Sequence, residues 1–234
     1  MPIMIAKLMS IGLVIASLTS PAVAAEMSAP AINAAEPSKK TLSTARPTPA
    51  GVRLQVLLDR AHFSPGEIDG KFGENAKKAL RAFAEARQLP NAESAMDDVW
   101  KTLRVDDRPV TANYTITDKD VAGPFLPKLP AKLEDMKDIP LLNYTSSREG
   151  LAEKFHMSEQ LLAVLNPGQR FDRAGDTILV VDTGDGGSET AVKADRVEVD
   201  KRRQTLMLFD KSNTMIGFYP PPWEVGRSQL PMGR

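Results

Sequence analysis

The chain has 234 residues, 42% of them apolar and 26% charged, and its 30 Lys+Arg balance 30 Asp+Glu to leave no formal net charge. That is the composition of a folded chain long enough for one or two ordinary domains, with no electrostatic case for nucleic acid and no polybasic patch for a membrane. Cysteine is absent, which removes disulfides, cysteine-ligated zinc and thiol nucleophiles from these residues.

Residues 1–25 have the layout of a secretory signal: Lys7 as the positive start, Leu8 to Leu18 as the apolar run, and Ala22-Val23-Ala24 as small residues for cleavage. A non-cleaved anchor is the alternative; a lipid anchor is excluded because no cysteine follows the apolar run. The expectation is export to the periplasm or cell wall, with no membrane contact after cleavage. Residues 26–50 are rich in Ala, Ser, Thr and Pro, and are expected to form a flexible linker.

Residues 51–104 carry three helical patterns. Leu54, Leu57, Leu58 and Ala61 fall on one face, then Ala76, Ala79, Leu80, Phe83 and Ala84, then Met96, Val99, Trp100 and Leu103. Ser94 is the expected cap of the third helix. Between the first two lies Phe63-Ser64-Pro65-Gly66-Glu67-Ile68-Asp69-Gly70-Lys71-Phe72-Gly73, full of turn formers. The set Leu54, Leu58, Asp69, Gly70, Phe72, Gly73 and Phe83 resembles the three-helix peptidoglycan-binding domain of bacterial wall enzymes. The polar residues of the turn, His62, Ser64, Glu67, Asp69 and Lys71, are the candidates for a wall-binding groove.

Residues 105–140 are broken by Pro124, Pro127, Pro130 and Pro140; because they keep Val121, Phe125, Leu126, Leu129 and Leu133, they are expected to form an ordered connector packed on its neighbours, with a helical turn at Leu133 to Lys137. Residues 141–183 then predict a strand at Leu141 to Thr145, a short helix with Leu151, Ala152 and Phe155, and a second helix capped by Ser158. Ile178 to Val181 closes the unit as a strand. This order resembles the LysM glycan-binding fold, with a shorter loop after the first strand and without the usual Gly-Asp-Thr. Tyr144, Thr145, Ser146, Asn166 and Gly168 are its candidate binding residues. Residues 184–194 are glycine-rich and predict a joint.

Residues 195–220 alternate apolar and polar positions at Val197, Val199, Leu206, Leu208, Ile216 and Phe218, which predicts two or three antiparallel strands. They resemble the opening strands of an L,D-transpeptidase catalytic domain. That family joins peptidoglycan stem peptides through a cysteine acyl-enzyme with a histidine base. No matching Cys/His motif is present here, and His62 and His156 stand outside any such motif. No catalytic residue, metal site or cofactor is therefore expected. Residues 221–234 begin Pro221-Pro222-Trp223, where the family continues with a strand; a single-base frameshift near Pro220 would convert them to out-of-frame sequence. The expected fold is thus α+β: a three-helix bundle, a LysM-like module and an incomplete antiparallel β-region. The expected function is non-catalytic peptidoglycan binding, to glycan strands or stem peptides. The alternative is an L,D-transpeptidase whose catalytic half is lost from this reading frame.

Overall fold

The computed structural model describes residues 26–89, 96–126, 143–184 and 193–220. Among them it is a mixed α+β structure with seven helices and two small antiparallel sheets. The expected signal at 1–25, Ser94, Leu133 to Lys137, Leu141 and Leu142, most of the expected glycine-rich joint and residues 221–234 lie outside the described residues.

The expected linker at 26–50 is structured in part, which corrects the sequence reading. Helix α1 (Ala29–Ala34) is capped by Ser28, whose hydroxyl accepts from the Ala31 N–H. Met27 and Ile32 are buried. Asn33 holds this helix to the next unit, donating to the Thr111 hydroxyl at 2.9 Å and accepting from the Val110 N–H at 2.8 Å. Two large apolar residues and one amide are diluted in a polar average over 25 residues, and that average hid them.

Helix α2 (Pro49–Arg60) starts on Thr48, whose hydroxyl accepts from the Gly51 N–H, with a proline in its first turn. Helices α3 (Glu74–Ala86) and α4 (Met96–Leu103) follow. Leu54, Leu57, Leu58, Ala76, Ala79, Leu80, Phe83, Ala84, Met96, Val99, Trp100 and Leu103 are all buried, as their spacing predicts. Each fully buried Leu or Phe contributes about 1.5–3 kcal/mol relative to exposure.

Strand β1 (Thr111–Thr115) pairs antiparallel with β2 (Thr177–Val181), from Thr111 opposite Val181 to Thr115 opposite Thr177. The first strand of this unit is therefore Thr111–Thr115 and not Leu141 to Thr145, of which the described part, 143–145, is not strand. Thr-Ala-Asn-Tyr-Thr shows little apolar alternation, so only its partner reveals it. Between the strands lie α5 (Asp118–Val121), α6 (Ser147–Lys154) and α7 (Glu159–Leu165). Ser158 caps α7 as expected, accepting from the Leu161 N–H at 3.1 Å.

The second sheet runs β3 (Arg196–Asp200), β4 (Thr205–Phe209), β5 (Met215–Tyr219) in that order. Its register puts Val197 opposite Leu208 and Val199 opposite Leu206, so these four do share a face. That face is the outer one: Val197 and Val199 are each 57% exposed. The core is reached by the other face, where Met215 and Phe218 are buried and Met207 and Phe209 pack against them.

One turn joins everything. On one side the Ser64 N–H donates to the Phe218 carbonyl and the Phe218 N–H to the His62 carbonyl, both at 2.8 Å. On the other the Ile68 N–H donates to the His156 carbonyl at 2.8 Å and the Ser158 N–H to the Ile68 carbonyl at 3.0 Å. The turn between α2 and α3 thus acts as a strand shared by β5 and the α6–α7 corner, and a single hydrophobic cluster runs through all three parts. Arg60, its side chain 4% exposed, adds a clamp: it donates to the carbonyls of Pro109 and Asp182 and pairs with the carboxylates of Asp106 and Asp182.

Candidate functional site

The polar residues expected to face a ligand from the turn are mostly occupied by the fold. Ser64 is buried, and its hydroxyl accepts from the Gly66 N–H. The Asp69 carboxylate accepts from the Lys71 N–H at 2.8 Å and from the Gln55 amide at 3.0 Å. Lys71 reaches the Gln160 amide oxygen on α7. His62 adopts a positive φ of 67° and lends its carbonyl to β5. Glu67 keeps an exposed surface; burial of its carboxyl, with Asp69 and Glu159 beside it, raises its pKa. The polarity here is that of a joint between units.

The second set divides. Asn166 is buried, and its side chain donates to the carbonyls of Leu162 and Leu179 and accepts from the Leu179 N–H at 2.6 Å, so it ties α7 to β2. The Ser146 hydroxyl caps α6 through the Glu149 N–H, while Thr145 donates from its N–H and hydroxyl to the Glu149 carboxylate. Gly168 sits in the turn after α7 at φ 83°. Tyr144 lines a cavity.

That cavity is a cleft of about 410 Å³ lined by Lys119, Asp120, Gly123, Pro124, Phe125, Asn143, Tyr144, Gly150 and Lys154, within the size range of small-molecule sites. Its walls are two exposed rings, Phe125 at 36% and Tyr144 at 41%. The segments carrying them are laced together: the Leu126 N–H donates to the Tyr144 carbonyl, and the Asn143 amide donates to the Pro124 carbonyl, both at 2.8 Å. Tyr144 packs closely against α6 because residue 150 is glycine; a Cβ there would stand 2.8 Å from the ring.

Two lining residues, Asp120 and Lys154, form a closed polar triangle with Tyr114. The Tyr114 hydroxyl donates to the Asp120 carboxylate at 2.7 Å, and the Lys154 ammonium donates both to the Tyr114 oxygen and to Asp120, the latter at 3.0 Å. Thr117 adds its N–H and hydroxyl to the same carboxylate. Burial pushes the Asp120 pKa up, but these hydrogen bonds outweigh it and hold it at about 2. Burial lowers the Lys154 pKa, while the bonds to Tyr114 and Asp120 raise it further than that, so its net shift is upward. The Tyr144 pKa is raised by burial and by the neighbouring Glu153 and Glu149. At neutral pH the triangle is therefore a fixed ion pair.

Sequence reasoning missed Lys119, Asp120, Phe125, Gly150 and Lys154. Phe125 reads as a core residue of the connector, and only its exposure marks it as a wall. Among the described residues no group of His, Cys, Asp and Glu is placed to hold a metal ion, and no helix is long and apolar enough to cross a membrane. Comparison of the chain with protein-family models gives no match, and comparison with curated proteins gives none either.

Proposed function

We propose that this chain is an exported protein that binds peptidoglycan and works by adhesion. The observation that carries the reading is the cleft between Phe125 and Tyr144, in which exposed aromatic faces stand beside ammonium and amide groups. Wall polymers offer apolar ring and alkyl faces next to polar groups, which suits such a surface. Two resemblances support it: residues 51–104 to the three-helix peptidoglycan-binding domain, and residues 141–183 to the LysM fold, with the difference that the first strand is Thr111–Thr115 and an extra short helix, α5, follows it. The fold-determined engagement of the turn at 62–71 moves the proposed contact surface from that turn to the cleft. With no cysteine in these residues, thiol acyl transfer has no nucleophile here.

The test is co-sedimentation of the full chain with purified sacculi. The protein pellets with intact sacculi and returns to the supernatant after muramidase digestion; a protein that stays in the supernatant throughout refutes the reading. A second reading has its own observation, the bare outer face of Val197 and Val199. Such a face suits the first strands of a larger β domain, in line with the transpeptidase resemblance. The nucleotide sequence of the locus tests it: an overlapping frame encoding a histidine- and cysteine-containing motif supports it, and the absence of one removes it.

A further inference from the structure

We infer that the cleft takes the carboxylate-bearing stem peptide of peptidoglycan and not its neutral glycan; this rests on the binding function proposed above. The lining holds two ammonium groups, Lys119 and Lys154, against one carboxylate, Asp120. Asp120 is spent on Lys154, Tyr114 and Thr117. Lys119 is exposed, on the first turn of α5, and no carboxylate lies within ion-pair distance of it among the described residues. Lys154 has one N–H beyond the two it gives to Tyr114 and Asp120. Outside the lining, Glu149 accepts from Thr145 and Glu153 from the Tyr144 hydroxyl; both carboxylates keep their charge and act on the Tyr144 end, so the cationic part of the cleft is its Lys119 end.

The remaining lining is Pro124 with the Phe125 and Tyr144 rings. An apolar slot with the Lys119 ammonium at one end matches a peptide end that carries small apolar side chains and a free carboxylate. A neutral sugar would use the rings and leave the Lys119 charge unanswered. The positioning residue is Gly150, which lets the Tyr144 ring lie against α6 and keeps the slot open.

The experiment is a titration of the full chain, followed by NMR shifts of the cleft residues, with three probes: a synthetic stem tetrapeptide, the same peptide as its C-terminal amide, and a neutral N-acetylglucosamine oligomer. The acid binds, and its affinity falls on raising salt from about 50 to 300 mM, as screening requires. The amide and Lys119→Ala each weaken binding about three- to fivefold, the range of an exposed ion pair. Because Lys119 is exposed, its variant keeps the wild-type melting temperature. Gly150→Ala shifts the Tyr144 resonances and weakens binding while the rest of the spectrum stays in place. Equal binding of acid and amide, no effect of salt, or cleft shifts produced by the oligomer instead would overturn the assignment. If that happens while sacculi still retain the protein, only the ligand class falls; if sacculi do not retain it, the underlying function falls with it.

Discussion

Gln55 makes the sharpest test of how the central turn is held. It is 3% exposed, in the middle of α2. Its oxygen accepts from the N–H groups of Asp69 and Gly70 at 3.2 and 2.7 Å, and its nitrogen donates to the Asp69 carboxylate and the Lys71 carbonyl at 3.0 and 3.1 Å. Gln55→Ala removes all four. Each net bond is worth about 0.5–1.5 kcal/mol, and an orphaned buried partner costs about 1–3 kcal/mol. Gly70 is buried, whereas Asp69 and Lys71 are half-buried and water can replace part of their loss. The expected destabilisation is therefore about 3 kcal/mol, a fall of about 6–12 °C in Tm for a chain of this size. Thermal and urea melts of the full chain, followed by circular dichroism, measure it. Gln55→Glu separates the two halves of the argument. The carboxylate still accepts from both N–H groups but has no donor, and it faces Asp69 as a like charge. Its stability at pH 7 falls near that of the alanine variant and recovers as pH drops toward 4. A Gln55→Ala loss below about 0.5 kcal/mol, the size of an ordinary surface change, would refute the reasoning.

Three further predictions follow from other contacts. Gly51→Ala places a Cβ 2.0 Å from the Gly70 carbonyl oxygen, so the turn is forced off α2; the loss should exceed about 3 kcal/mol by urea melting, with Ala50→Gly as a milder control. Asn166→Ala leaves the Leu179 N–H and two carbonyls without their partner, and should cost about 2–4 kcal/mol and speed amide exchange along β2. His156 bonds through Nδ1 to the Asp59 carboxylate at 2.9 Å; that bond holds its pKa above the ordinary histidine value, against the lowering effect of burial. Its stabilisation is thus complete below the unfolded value and lost as pH rises through the folded one. The stability difference between wild type and His156→Gln should shrink from pH 6 to pH 8.5 in paired melts; a constant difference would contradict the assignment.

The three helices were legible because Leu54, Leu58, Phe83 and Trp100 recur at helical spacing and are buried where that spacing puts them. The capping of α7 by Ser158 was legible for a local reason, since a cap is read from three or four neighbouring residues. What escaped depends on partners distant in sequence. Thr111–Thr115 is a strand because Thr177–Val181 lies beside it, and its own residues barely alternate. Ile32 is buried because Asn33 is fastened to a segment more than 70 residues away. Val197 and Leu208 were rightly placed on one face, but pattern alone does not say which face the helices cover. For the site, the sequence points to Tyr144, while its opposite wall Phe125 reads as core. An aromatic residue among prolines reads the same whether it is buried or lines a cleft.

The most direct measurement of the central proposal is a sedimentation isotherm on purified sacculi, comparing wild type with Tyr144→Ala and Phe125→Ser at equal melting temperature. Loss of one aromatic wall should weaken retention about fivefold or more, within the roughly 0.5–1.5 kcal/mol of an aromatic contact plus its buried area, and loss of both should abolish it. Undiminished retention of the double variant would place the wall-binding surface elsewhere, and no retention of the wild type would end the proposal.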